Sequence, residues 1–140
     1  LPMMAGRPPP RRINRLLVAN RGEIAVRILS TARELELETY AVYTSNDDLH
    51  THNAVHAVQL PSPASYTSID EFINLAQKYE IDAVHPGYGF LSESSEFARR
   101  MWDEASCVVI GPGWEILQAT GDKLKAKSLA EACRCLWIMP

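Results

Sequence analysis

Five short runs rich in apolar residues, each five to seven residues long, alternate along this chain with segments whose apolar positions recur at helical spacing. A strand that leaves a sheet through a helix returns in the same direction, so this order packs as parallel strands joined by crossover helices. RLLVAN (Arg15 to Asn20) reads as a buried first strand, and Ile24, Ile28, Ala32 and Leu35 mark one face of the helix behind it. ETYAVYT (Glu38 to Thr44) is the second strand, with the polar stretch SNDDLHTHN as its loop, and AVHAVQL (Ala54 to Leu60) is the third. Past the break PSPAS, Ser68 stands three residues before Glu71, the spacing of a capping box, and Ile69, Phe72, Ile73, Ala76 and Tyr79 define the next helix face. DAVHP (Asp82 to Pro86) is the fourth strand, and a helix over residues 93–105 carries Phe97, Met101 and Ala105. CVVIGPG supplies a fifth strand and its Gly-Pro-Gly stop, followed by helical segments over 114–120 and 122–132 that Gly121 separates. The expected fold is α/β, a mainly parallel sheet with helices on both faces.

A length of 140 residues and a hydrophobic content of 46% suit one domain with a substantial core. No run approaches the roughly 18 consecutive apolar residues of a membrane span, so no membrane partner is expected. The formal charge of −3 conceals an asymmetry: five arginines and no acid precede Glu23, leaving nine basic against 17 acidic residues in the remainder. Such a body lacks the basic surface that neutralises phosphates, and no nucleic-acid partner is expected. The leader LPMMAGRPPPRR (residues 1–12) reads either as a mitochondrial signal, from its arginines, or as a disordered tail, since three consecutive prolines oppose an amphipathic helix. Three cysteines (Cys107, Cys133 and Cys135) form no even disulfide framework. A reducing, cytoplasmic setting is expected, with a mitochondrial one left open. Cys133 and Cys135 are one residue apart, too close for the usual zinc hook.

Ligands of open parallel sheets sit beyond the carboxyl ends of the strands. Two loops fall there: NRGE (Asn20 to Glu23) and GYGFLSE (Gly87 to Glu93). NRGE reads either as an anion cradle, with Arg21 on phosphate, or as a tight turn capped by Asn20 with Arg21 solvated. It has Gly22 alone where the dinucleotide pattern wants G-x-G-x-x-G, which argues against a nicotinamide cofactor. His85 is either a ligand or acid–base group, or a satisfied histidine at a strand end; with no second His or Cys at metal spacing, the latter is favoured. Glu93 is placed to cap its helix. Tyr88 and Phe90, beside glycines, suit a wall for a flat ring. In TGDK (Thr120 to Lys123), Gly121 ends one helix and Asp122 caps the next, and Lys123 either reaches a nucleotide phosphate or joins Lys125 and Lys127 on a solvated face. Periodicity alone favours the solvated face.

Taken in order, LLVANRGEIAVRIL, AVHPGYGFLSES, VVIGP and TGDKLKAK closely resemble the start of the biotin carboxylase component of biotin-dependent carboxylases, over residues 13–132. The resemblance implies a Rossmann-like pre-ATP-grasp domain over 13–121, with residues 122–140 beginning the link to an ATP-grasp domain. In the full-length parent it implies ATP, magnesium and bicarbonate acting to carboxylate biotin held on a carrier, and a homodimer. By motif match, Tyr88 and Gly89 line the biotin and bicarbonate cleft, with glycine letting backbone approach the flat cofactor. Lys123 matches an ATP-contacting lysine, which reverses the solvated-face reading, and Arg27 matches a dimer-interface arginine. The end of the chain, EACRCLWIMP, departs from the family pattern of an Ala-Gly-Val-Pro segment leading into the ATP-grasp domain. The glycine loop that clamps phosphate, the magnesium carboxylates and the bicarbonate-binding arginine and acid have no counterpart. These 140 residues are therefore expected to bind none of the cofactors tightly and not to complete the reaction alone. Without an ATP-grasp partner, Trp114, Leu117, Leu136 and Trp137 are expected to lack cover. The alternative reading is a noncatalytic interaction module that keeps the fold.

Overall fold

The computed structural model describes residues 8–9 and 11–121. Five strands, β1 (Arg15–Val18), β2 (Glu38–Tyr43), β3 (His56–Gln59), β4 (Ala83–His85) and β5 (Val108–Val109), form one sheet in the order β3-β2-β1-β4-β5. Every pairing is parallel: Leu16 stands opposite both Thr39 and Ala83, Tyr40 opposite His56, and Val84 opposite Val109. The connections carry α1 (Gly22–Glu34), α2 (Ile69–Tyr79) and α3 (Ser95–Ala105), and α4 (Trp114–Thr120) follows β5. Among the described residues no helix is long and apolar enough to cross a membrane.

Successive side chains of a strand point to opposite faces, and β1 supplies a core layer in each direction. Leu16 and Val18 pack with Ala25, Leu29 and Ala32 of α1, whereas Leu17 and Ala19 join Phe72, Ile73 and Ala76 of α2 and Phe97 and Met101 of α3. Helices thus cover both faces, as the alternation of elements requires. Cys107 is buried in the α2–α3 layer, and burial pushes its thiol up to about 12, so it serves as a packing residue.

Several local expectations are corrected. The buried face of α1 is Ala25, Leu29 and Ala32, with Ile28 half-buried, whereas Ile24 is 37% and Leu35 67% exposed. Small alanines let the helix approach the sheet closely, and Leu35 falls beyond the last turn as the C-cap. The Ser68–Glu71 capping box is half formed: Ser68 Oγ accepts from the Glu71 amide at 3.4 Å, but the Ser68 amide is already donated to the Ser65 carbonyl. The 3-10 segments Leu49–Asn53 and Pro63–Thr67 occupy stretches read as loop and chain break. Leu117 is buried, and α4 packs beside α3, so this part of the expected bare surface is covered. Arg11, inside the leader as read from sequence, donates to the Asp82 carbonyl and lies 5.6 Å over the Trp102 ring.

Candidate functional site

From β1 the chain crosses to β2 on one side, while β4 lies on β1's other side, so the strand order reverses between these two neighbours. Val18 and His85, their last residues, are register partners, and the loops that follow emerge together. A crevice at such a switch point is where open α/β sheets place ligands.

Asn20 joins the two loops. It is 1% exposed, and its Nδ2 donates to the carbonyl oxygens of Pro86 at 2.7 Å and Tyr88 at 2.8 Å. Its Oδ1 accepts from the Arg21 amide at 2.8 Å. Asn20 is therefore a clamp on the opposite loop rather than a helix cap; the N-cap of α1 is Arg21, which makes no side-chain capping bond. Arg21 is instead ion-paired with Asp47, so its guanidinium is held by a carboxylate rather than freely solvated.

Gly87 sits at φ +66°, and a Cβ there would fall 2.7 Å from Ile24 Cγ2 and 2.8 Å from Asn20 Nδ2. This glycine admits its own protein, with Ile24 and Asn20 pressed against it. Gly89, at φ +76°, meets nothing within 4 Å on that side, so only the turn and open space call for glycine there. Between them Tyr88 is 82% exposed. Phe90 holds a positive φ of 45° and stacks on Tyr66, with centroids 4.9 Å apart and planes at 15°. Tyr66 is buried and donates its hydroxyl to the Val42 carbonyl at 3.2 Å; burial, then the nearby Asp47 charge, pushes its phenol up to about 12. It titrates too high to act as an acid or base near neutrality.

His85 accepts the Gly87 N–H at Nδ1 over 3.0 Å, and burial lowers its pKa. A neutral imidazole that shapes the turn is what this geometry describes, in line with the satisfied histidine expected from sequence. The cap of α3 is Ser94, whose Oγ accepts from the Phe97 amide at 3.1 Å, and not Glu93, which is exposed one residue too early. Arg27 lies on the solvent face of α1, paired with Glu23 at 3.3 Å, apart from the Asn20–Tyr88 clamp. Lys123, Cys133 and Cys135 lie outside the described residues. Among the described residues, no group of three or more His, Cys, Asp or Glu side chains is gathered so that it could hold a metal ion.

The structure thus brings Tyr88 and Gly89 to the switch point and adds Asn20, Tyr66 and Asp47, whose roles there the sequence reading missed. Asn20 carried one signal, a polar residue directly continuing a buried apolar strand. Tyr66 carried none, standing alone in a Pro/Ser-rich break.

Comparison with known proteins agrees with this arrangement. Residues 12–117 match the family described as biotin carboxylase, N-terminal domain. Pyruvate carboxylase of Pichia angusta is 43% identical over 128 residues, covering 86% of this chain and 11% of that protein, so the chain spans about a tenth of the relative's length. Among solved structures, the biotin carboxylase subunit of a pyruvate carboxylase superposes with a TM-score of 0.81 at 41% identity, covering 86% of this chain and 28% of that one. The biotin carboxylase domain dimer of the Hydrogenobacter thermophilus 2-oxoglutarate carboxylase, in complex with MgADP, ADP and bicarbonate, gives 0.81 at 33% identity, over 87% of this chain and 28% of its own. A parallel sheet in the order 3-2-1-4-5, with NRGE and HPGYGFLSES meeting at its switch point, belongs to a chain of the biotin carboxylase N-terminal domain family.

Proposed function

We propose that this chain supplies the N-terminal domain of an ATP-dependent biotin carboxylase, the ligase half-reaction in which bicarbonate is activated with ATP and magnesium and passed to biotin on a carrier. The observation that carries this reading is Tyr88, an 82% exposed ring on a loop clamped from below by a buried asparagine. An exposed aromatic on ordered backbone, with open space at Gly89, fits one face of a flat bicyclic ring such as biotin. Lys123 is proposed to contact ATP on the strength of the motif resemblance. Arg27, exposed on α1, is proposed to face a second copy in a homodimer, and an ATP-grasp domain and a biotin carrier are the proposed partners.

The test is kinetic, in a complete carboxylase carrying this domain. Tyr88→Ala should raise KM for free biotin by roughly tenfold, the loss of one aromatic contact of about 1.4 kcal/mol, and leave KM for ATP unchanged. Lys123→Ala should do the reverse. If Tyr88→Ala leaves biotin use untouched, the loop is not part of the biotin cleft.

A further inference from the structure

An exposed ring recognises a ligand with useful affinity only if its backbone is already in place, because ordering a loop on binding subtracts from the binding free energy. Loop Pro86–Phe90 is held at both ends. Its entry hangs on Asn20, and its exit is fixed by Phe90 stacking on buried Tyr66. Only the Tyr88 side chain between these anchors stands free, at 82% exposure.

The anchors differ in chemistry. The Phe90 stack is apolar and tolerates sliding, whereas the Asn20 bonds fix both distance and direction. Both Nδ2 protons of Asn20 are donated to carbonyls two residues apart, and its Oδ1 is taken by the Arg21 amide. The amide orientation is forced: turned over, it would set an oxygen against two carbonyl oxygens and an NH2 against an N–H. No hydroxyl or carboxylate supplies two donors in this fork. At 1% exposure, water cannot replace them.

We propose that Asn20 is a positioning residue for Tyr88, holding the Tyr88 carbonyl in register with the β1 loop so that the ring projects from the switch point in one orientation. The inference rests on the assignment of Tyr88 to the biotin cleft only for its functional consequence. The positional claim stands on geometry.

Asn20→Asp isolates the two donated bonds, since the side chain keeps its shape and its acceptor for the Arg21 amide but faces both carbonyls with oxygen. Measured by 15N relaxation on the full 140-residue chain, the order parameters of Tyr88 and Gly89 should fall from about 0.85 to below about 0.6, while those of Val18 and Val84 stay near 0.85. In the unsubstituted chain, the two Asn20 side-chain amide protons should exchange with solvent at least about tenfold more slowly than those of an exposed asparagine. That measurement decides the matter even if the variant fails to fold. Unchanged order at Tyr88 and Gly89 in a folded variant, or free exchange of the Asn20 protons, would overturn the proposal. Kinetics in a complete carboxylase carrying this domain separates the two readings. Loosened loop order together with a biotin use that Tyr88→Ala leaves untouched sinks the cleft assignment and leaves Asn20 in its role. A KM for free biotin that Asn20→Asp changes by at most about twofold, where Tyr88→Ala raises it roughly tenfold, removes Asn20 from recognition.

Discussion

Gly87 and Gly89 stand two residues apart, both at positive φ, yet only Gly87 is pressed from outside. Alanine at either position incurs a left-handed backbone penalty of about 1 kcal/mol. At Gly87 the new methyl also meets Ile24 Cγ2 at 2.7 Å and Asn20 Nδ2 at 2.8 Å, the far end of the clamp itself. Gly87→Ala should therefore lose about 3 kcal/mol of unfolding free energy against about 1 kcal/mol for Gly89→Ala. Urea denaturation of both variants checks this, and equal losses would mean that the contact is relieved by a shift of Ile24. The need for a reason behind these glycines is legible in the sequence, because each carries an entropic cost in an otherwise ordered stretch. The reason itself is not, since the atoms that fill the space beside Gly87 belong to residues more than sixty positions earlier. The partners of Asn20 were hidden for the same cause: a polar residue continuing a buried strand signals a bond, but not that the bond runs to the backbone of Pro86 and Tyr88.

Elements were far more legible than the faces they bury. Periodicity locates α1, but it weighs every apolar residue alike and so favours Ile24 and Leu35 over the alanines that touch the sheet. Helix ends are a second blind spot. Two helices stop at left-handed residues other than glycine, α2 at Glu80 (φ 53°) and α3 at Ser106 (φ 49°), where a reader of sequence looks for glycine. Glu80 lies 3.4 Å from Arg15, but Ser106 is exposed and only its backbone N–H makes the closing bond, to the Trp102 carbonyl. Ser106→Gly should thus raise stability by about 0.5–1 kcal/mol, a gain of roughly 2–4 °C in Tm by calorimetry. The opposite edge of the sheet links three strands through their first residues: Glu38 of β2 accepts from Arg15 of β1 at 3.0 Å and pairs with His56 of β3 at 2.8 Å, while His56 stacks 4.4 Å from Tyr40. The hydrogen bond to His56, then that to Arg15, holds the Glu38 carboxyl below its ordinary 4.5. A carboxyl depressed by folding stabilises fully above its unfolded pKa, and that contribution is lost as pH falls through the folded value. Glu38→Gln should accordingly lower Tm at neutral pH and flatten the acid limb below about 4.5, so that the two Tm curves converge at low pH. Parallel curves down to the acid limit would show that the linkage lies with other carboxyls.

For the whole molecule, the parallel order β3-β2-β1-β4-β5 creates one switch point, and Asn20, Tyr88 and Gly89 meet there. What they provide with Phe90 and Tyr66 is an exposed ring and its support, a clamp and a stack. Phosphate chemistry needs converging donors and metal-holding carboxylates, and among the described residues no group of three or more His, Cys, Asp or Glu side chains gathers to hold a metal ion. One further group, Lys123, is proposed to contact ATP and lies outside the described residues. A single lysine contributes a charge-assisted contact of about 1.5–3 kcal/mol, whereas holding a free nucleotide must offset at least about 4 kcal/mol of lost translational and rotational freedom. The contact does not cover that loss. A polypeptide of these 140 residues should therefore bind ATP no more tightly than about millimolar, and it should release no phosphate from ATP in response to bicarbonate. Titration calorimetry with MgATP, followed by a phosphate-release assay with and without bicarbonate, tests both statements on the same preparation. Micromolar affinity would place a second set of phosphate donors within the chain. Bicarbonate-dependent turnover would show that these 140 residues suffice for a working nucleotide and bicarbonate site.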